Sequence, residues 1–284
     1  MSFFKNKGKI LQILLIISAI SVFLLLYFLP KNYSITKIKE EQKVETKNDI
    51  SRQINEVKKE LDSTSLIRLT GFETLYSTTQ GVIKVGYLDS IIRFWDIQMR
   101  PAIAAIYAEE KAALVNTDDM WLESGNRYLQ MASLLEEKDK AWAYQRGKEV
   151  FEKIIAKSPD NTDAKIGLGV CIVESGLGSP MEGITLIRQV LEKDPNNLKA
   201  ILQLGHFSVF SGQFAKAIER YKQAIQINPE LDEAYFYLGD TFAKMGETDS
   251  AVVYLNRYKN MQQEPVVIEK ITEYINEIKT KSNN

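Results

Sequence analysis

The sequence predicts an all-α protein in which an N-terminal transmembrane helix precedes a solenoid of stacked helix pairs, closed by a C-terminal capping helix. The solenoid follows from a period of 34 residues, which aligns 198–231 with 232–265. The transmembrane helix follows from residues 10–29, which contain no charge, and the cap from an apolar stripe of helical spacing within 266–284. A fixed period of this length is typical of stacked repeats, because no single unit can bury its own apolar face.

Small and apolar residues at matching positions define the repeat. In the two best-matched copies the shared pairs are Ala200 and Ala234, Leu204 and Leu238, Gly205 and Gly239, Gly212 and Gly246, and Ala217 and Ala251. A third copy at 162–197 is offset by two residues in a loop, and a more diverged fourth copy occupies 118–161. The sequence therefore predicts four repeats over residues 118–265.

This motif resembles the tetratricopeptide repeat (TPR) family. The motif residues in 198–231 are Leu204, Gly205, Gly212, Ala217, Tyr221, Ala224 and Pro229. Three positions of the copies at 198–231 and 232–265 depart from the family pattern, since Ser208 stands where an aromatic residue is expected, Tyr258 replaces an alanine and Gln263 replaces a proline. The resemblance implies a TPR-type helical solenoid that binds proteins in a concave groove.

The resemblance also implies which residues line that groove, because the first helix of each TPR unit faces it. Carried over position by position, these residues are Leu122, Asn126, Ile166, Val170, Val173, Leu202, His206, Val209, Phe210, Phe236 and Asp240. The middle of this set is apolar and requires a cover, since large exposed apolar patches mark interaction sites. Either a partner segment or the chain's own residues 64–117 could supply it.

The N-terminal residues predict a membrane anchor. A basic tail at 1–9 precedes an apolar stretch at 10–30, and about twenty helical residues span roughly 30 Å, the thickness of a bilayer core. A cleaved signal peptide is the alternative. Lysines flank the stretch on both sides, so the charge rule leaves orientation open. The favoured localisation is a single-pass protein of the bacterial inner membrane with exported, periplasmic repeats, and a cytosolic orientation is the other.

Two segments connect the anchor to the repeats. Residues 31–63 are rich in charge and predict a helical stalk. Within them, residues 50–61 show apolar spacing of 4-3-4, the seam of a coiled coil, over less than the three or four heptads that would establish one. A solvated stalk is the favoured interpretation, and a homodimer through 50–61 or a helix folded against the repeats are the alternatives. Residues 64–117 predict an N-terminal helical cap or a degenerate repeat, with helical spacing from Leu88 and a second helix opened by Pro101.

The residues give little support for catalysis. One histidine and one cysteine make a Cys-His or multi-His site improbable, and no metal or cofactor is expected. The formal net charge of −1 does not indicate nucleic-acid binding, which is typical of strongly basic proteins. We expect a membrane-anchored adaptor or scaffold that binds a protein partner beside secretion or envelope-assembly machinery. The alternatives are a permanent subunit of a larger membrane complex with a filled groove, and a cytosol-facing receptor.

Overall fold

The structure is a computed structural model that describes residues 47–135, 137–176 and 178–282. Every regular element in these ranges is a helix, which confirms the prediction of an all-helical solenoid. The chain divides into two compact units, Met1–Leu61 and Asp62–Asn284. Within the described part of the first unit lies helix α1, Lys47–Lys58.

The second unit is a linear array in which each helix packs against the next one along the chain. Its helices are α2 (Ser63–Thr78), α3 (Gly81–Ile97), α4 (Pro101–Val115), α5 (Asp118–Leu134), α6 (Glu137–Lys157), α7 (Thr162–Ser175), α8 (Pro180–Lys193), α9 (Leu198–Phe210), α10 (Phe214–Ile227), α11 (Asp232–Lys244), α12 (Thr248–Met261) and α13 (Pro265–Ser282). Helices α5, α7, α9 and α11 also contact one another in succession. These four, called here the first helices, therefore form one continuous face.

Local sequence signals set the ends of the repeat helices. The side chain of Asn161 accepts a hydrogen bond from the Ala164 backbone N at 2.9 Å, and Asn197 caps α9 in the same way. Helices α8 and α10 each end two residues before a proline, because the residue before proline disfavours helical geometry. The turn inside the third pair uses Gly212 at φ 72°, a left-handed conformation that favours glycine.

Glycines at the helix crossings explain why small residues recur with the repeat. A Cβ added at Gly205 would lie 2.5 Å from the Tyr221 ring, and one at Gly239 would lie 2.7 Å from Leu255 Cγ. Tyr221 and Leu255 are both fully buried. The missing side chain thus provides the space that a large neighbour on the second helix fills, as close packing requires.

The crossing of α7 and α8 gives a testable consequence. A Cβ at Gly183 would meet the Gly169 carbonyl oxygen and would lie 2.9 Å from Val173 Cγ2. Because backbone cannot move aside cheaply, we expect Gly183→Ala to lower the free energy of unfolding by about 1–3 kcal/mol. Urea denaturation followed by circular dichroism measures this loss.

Gly71→Ala provides the matched control, since its Cβ would meet nothing within 4 Å in the middle of α2. We expect this change to raise stability by about 0.5–1 kcal/mol, because alanine favours a helix interior. Equal stability of the Gly183→Ala variant and the unchanged protein would contradict the close crossing.

Residues 64–117 contain more helix than the spacing of their apolar residues indicates. Helical spacing is first evident at Leu88, whereas α3 begins at Gly81, and α2 occupies the stretch before it. Leu69 and Leu88 are both fully buried, which shows that packing holds these helices in place. Tertiary burial here outweighs the weak helix preference of glycine.

Helix α13 covers the end of the array. Ile271 and Ile275 are buried and cluster with Leu255 of α12. The Tyr274 hydroxyl donates a hydrogen bond to Asp240 Oδ1 at 2.7 Å. This bond joins α13 to α11, which is the fourth of the first helices. Such a cap is what a solenoid end needs, since its terminal apolar face has no further repeat to pack on.

The predicted localisation, a single-pass inner-membrane protein with exported repeats, is wrong. No helix within the described ranges has both the length and the apolar character to cross a membrane. The longest, α6 and α13, have 21 and 18 residues and carry charged side chains along their length. A span of hydrocarbon requires about twenty mainly apolar residues. The stretch at 10–29 on which the prediction depended lies outside the described residues.

Candidate functional site

The first helices form a groove made of two adjoining clefts. The first, called the polar cleft, has a volume of 600 Å³ and is lined by α5, α7, α9 and α11 together with Tyr144 of α6. The second, called the aromatic cleft, has a volume of 550 Å³ and lies between α9 and α11, with Phe214 and Tyr221 from α10. His206 and Tyr237 line both clefts. The two clefts therefore form one surface, called here the groove.

The structure brings most of the predicted site residues together. The polar cleft contains Asn126, Ile166, Val170, Leu202 and His206, and the aromatic cleft contains His206, Val209, Phe210, Phe236 and Asp240. Leu122 and Val173 line neither cleft and pack against core clusters instead. Val173 faces the α7–α8 crossing, where its Cγ2 would lie 2.9 Å from a Cβ at Gly183.

Several lining residues were missed by the carry-over from the family pattern. Asp163, Lys199 and Glu233 occupy the second position of their first helices, and Tyr237 occupies the sixth. Positions two, five, six and nine share one helix face, because residues three or four apart are neighbours on a helix. Helical spacing could therefore have extended the predicted set by one turn.

The groove has an apolar floor and an exposed aromatic side chain. Ile166 and Leu202 are 8 % and 9 % exposed, so they form a fixed floor of the polar cleft. Phe210 is 78 % exposed at the end of α9 and borders the aromatic cleft. An exposed phenylalanine offers apolar area that a bound side chain can cover. Each Å² of apolar surface buried in this way contributes about 25 cal/mol of favourable free energy.

Adjacent charges of opposite sign line the groove. Lys199 Nζ lies 2.7 Å from Asp163 Oδ1, and Lys244 Nζ lies 2.6 Å from Asp240 Oδ2. His206 Nε2 lies 3.7 Å from Glu174 Oε1. These pairs face solvent, so each contributes at most about 1 kcal/mol to stability.

Glu233 differs from the other carboxylates of the groove. It is an exposed residue of the polar cleft and makes no ion pair with any residue that the structure describes, although neighbouring groups remove part of its water. This desolvation, together with the charge of Asp232, raises the pKa of Glu233 above its ordinary value. The groove thus contains a carboxylate that lacks a counter-ion.

Two tyrosine rings in tilted contact support the centre of the groove. The rings of Tyr221 and Tyr237 have centroids 5.6 Å apart, and Tyr221 is fully buried beneath. Burial raises the pKa of both hydroxyls, so both tyrosines are neutral at pH 7. Tyr237 therefore presents a rigid, uncharged aromatic surface where the two clefts meet.

Residues 64–117 do not cover the groove. Helices α2, α3 and α4 continue the array before α5, and the lining of both clefts comes from residues 126–244. Arg127 of α5 joins the two regions through Asp96, at 3.1 Å. Of the two covers considered from sequence, the chain's own residues 64–117 therefore do not occupy the two clefts.

Two kinds of reactive group would indicate a reaction centre among the described residues, a metal-binding cluster and an activated thiol. Across the described residues, no group of three or more His, Cys, Asp or Glu side chains is placed to hold a metal ion. Cys171 is fully buried in α7, and this burial raises the pKa of its thiol. A thiol that stays protonated is a poor nucleophile.

The fold is that of a helical-repeat protein with a groove along its first helices. Two family models match its C-terminal repeats, one described as "TPR repeat" at residues 211–246 and one as "Tetratricopeptide repeat" at residues 233–261. These matches support the assignment of the repeats to the TPR family.

Known proteins resemble the chain at low identity. The TPR protein TTC0263 from Thermus thermophilus superposes with a TM-score of 0.53 at 13 % identity, covering 66 % of this chain and 97 % of its own. YrrB, a TPR protein described as having an unusual peptide-binding site, gives a TM-score of 0.41 at 16 % identity over 71 % of this chain and 97 % of its own. The first of these likenesses shows the fold.

A curated relative resembles part of the chain. The probable UDP-N-acetylglucosamine–peptide N-acetylglucosaminyltransferase SPINDLY from Hordeum vulgare is 23 % identical over 125 residues. The match covers 44 % of this chain and 13 % of that protein. The chain therefore spans about an eighth of the length of this relative.

Proposed function

We propose that this protein is an adaptor that binds an extended segment of a protein partner in the groove. The observation that supports this most directly is Phe210, an aromatic side chain left 78 % exposed beside a cleft lined by further aromatic residues. Exposed apolar area of this kind marks sites of interaction. The groove binds and does not catalyse, since its side chains include no nucleophile paired with a base.

The shape of the groove favours a segment over a globular surface. The two clefts adjoin at His206 and Tyr237, which gives an extended chain room to place one side chain in each cleft. The buried floor keeps this surface formed before binding, so little conformational entropy is lost in the protein. Most of the conformational entropy lost on binding is then that of the flexible partner segment.

The proposal predicts the effect of a charge placed in the aromatic cleft. We expect Phe210→Asp to weaken partner binding by about tenfold or more, because a carboxylate replaces apolar contact and must lose water on binding. Val170→Asp is expected to do the same in the polar cleft. Binding is measured by fluorescence anisotropy with peptides selected on the full chain from a random displayed library.

Val253→Asp is the matched control, because Val253 is 64 % exposed on α12 and lines neither cleft. Circular dichroism checks that all three variants keep their helix content. Undiminished binding by the Phe210→Asp and Val170→Asp variants, or an equal loss in the control, would show that the groove is not the site.

A further inference from the structure

The chemistry of the partner can be inferred from the charges of the groove. Four carboxylates line the two clefts, against two lysines and one histidine. The lysines are already occupied, since Lys199 pairs with Asp163 and Lys244 pairs with Asp240. The acidic excess therefore comes from Glu174, whose ion-pair partner among the described residues is His206 at 3.7 Å, and from Glu233.

Glu233 is not needed for the local structure of α11. Acidic residues in the first turn of a helix favour its dipole, and Asp232 already serves this role beside Glu233. Asp232 also accepts hydrogen bonds from the Glu233 backbone N at 2.8 Å and from Gln262 Nε2 at 2.7 Å. The carboxylate of Glu233, in contrast, makes no hydrogen bond within the described residues and lines the polar cleft.

The position of Glu233 relative to the aromatic cleft sets a spacing. Glu233 lines the polar cleft and Asp240 lines the aromatic cleft. Both lie on α11, seven residues apart. At about 1.5 Å per residue this separation is about 10 Å along α11. An extended peptide covers about 10 Å in three residues.

We propose that the groove selects an extended peptide with a lysine or arginine against Glu233 and a large apolar side chain about three residues away in the aromatic cleft. A cation beside Glu233 supplies the counter-ion that this carboxylate lacks among the described residues, and Glu233 is exposed in the polar cleft, where a partner can reach it. The apolar side chain covers Phe210 and Phe236. This inference depends on the proposed function of the groove and adds the chemical class of the partner.

The experiment uses the same displayed random library, selected in parallel on the full chain and on its Glu233→Lys variant. We expect the full chain to enrich peptides in which a basic and a large apolar residue lie about three positions apart. We expect Glu233→Lys to lose the preference for the basic residue. Glu230→Lys is the matched control, because it makes the same charge change in the adjacent turn, outside both clefts.

Synthetic peptides then test the contact itself. Replacing the basic residue of a selected peptide by alanine should weaken binding to the full chain by about two- to fivefold, and should have almost no effect on binding to Glu233→Gln. Such coupling would assign the contact to Glu233 and not to the overall charge of the groove.

The outcomes separate the two proposals. Groove-dependent binders without a basic residue, or an unchanged preference in Glu233→Lys, would overturn this inference and leave the adaptor function standing. Selection that yields no binder sensitive to Phe210→Asp or Val170→Asp would overturn both.

Discussion

Phe151→Ala is expected to lower the free energy of unfolding by about 3–5 kcal/mol. Phe151 is fully buried, and its ring lies where three helices meet. A Cβ at Gly125 of α5 would approach that ring to 2.6 Å, and one at Gly167 of α7 would approach it more closely still. Removing the ring leaves a cavity between α5, α6 and α7 that the glycines cannot fill, because they carry no side chain. Urea denaturation measures the loss.

Phe210→Ala is the control for this change, since it removes the same ring from a position that is 78 % exposed. We expect its effect to stay within about 0.5 kcal/mol, as for most surface substitutions. Similar losses for the two variants would mean that Phe151 does not occupy the junction of the three helices.

Glu109→Ala is expected to cost about 2–4 kcal/mol, because Glu109 binds three groups at once. Its Oε2 accepts hydrogen bonds from the Tyr128 hydroxyl at 2.8 Å and from Arg146 Nη2 at 2.7 Å, and Lys153 Nζ lies 3.4 Å from Oε1. Burial alone would lower the pKa of Arg146, but Glu109 and Tyr128 outweigh it, so this pKa is raised above its ordinary value. Breaking a buried pair leaves an uncompensated charge, at about 3–5 kcal/mol when burial is complete. Glu109 keeps 14 % exposure and Arg146 28 %, which reduces this figure.

Two variants test whether the loss comes from burial and shared contacts. Glu109→Gln retains an acceptor for Tyr128 and removes only the charge, so it should cost less than Glu109→Ala. Asp160→Ala breaks an exposed ion pair with Lys193, in which Asp160 is 86 % exposed, and should change stability far less than Glu109→Ala does. Equal effects for Glu109→Ala and Asp160→Ala would contradict the buried network.

The repeat helices were predictable because their spacing reflects direct contacts. Gly205 and Tyr221 pack together, and the corresponding Gly239 and Leu255 do the same. The start of the array was harder to predict, since Gly71 and Gly86 lie inside α2 and α3 with open space around them. Glycine lowers helix preference, and only the burial of residues such as Leu69 shows that these helices form.

Lining residues could be predicted where their position within a helix decides that they face the groove. Contacts between side chains of neighbouring helices were harder to predict. Ile166, Val170 and Leu202 line the groove because their positions face it in each unit. The pairing of Lys199 with Asp163 joins residues 36 positions apart, and it depends on how adjacent first helices lie side by side. Sequence periodicity shows which residues recur, but the distance between helices decides which charges meet.

Photocrosslinking tests most directly whether the first helices bind the partner. A selected peptide carrying a benzophenone is bound to the full chain and irradiated, and the modified residues are identified by mass spectrometry. We expect the crosslinks to fall on α5, α7, α9 and α11, concentrated among the residues that line the groove. Crosslinks on the second helices α6, α8, α10 and α12, at residues outside both clefts, would contradict binding in the groove.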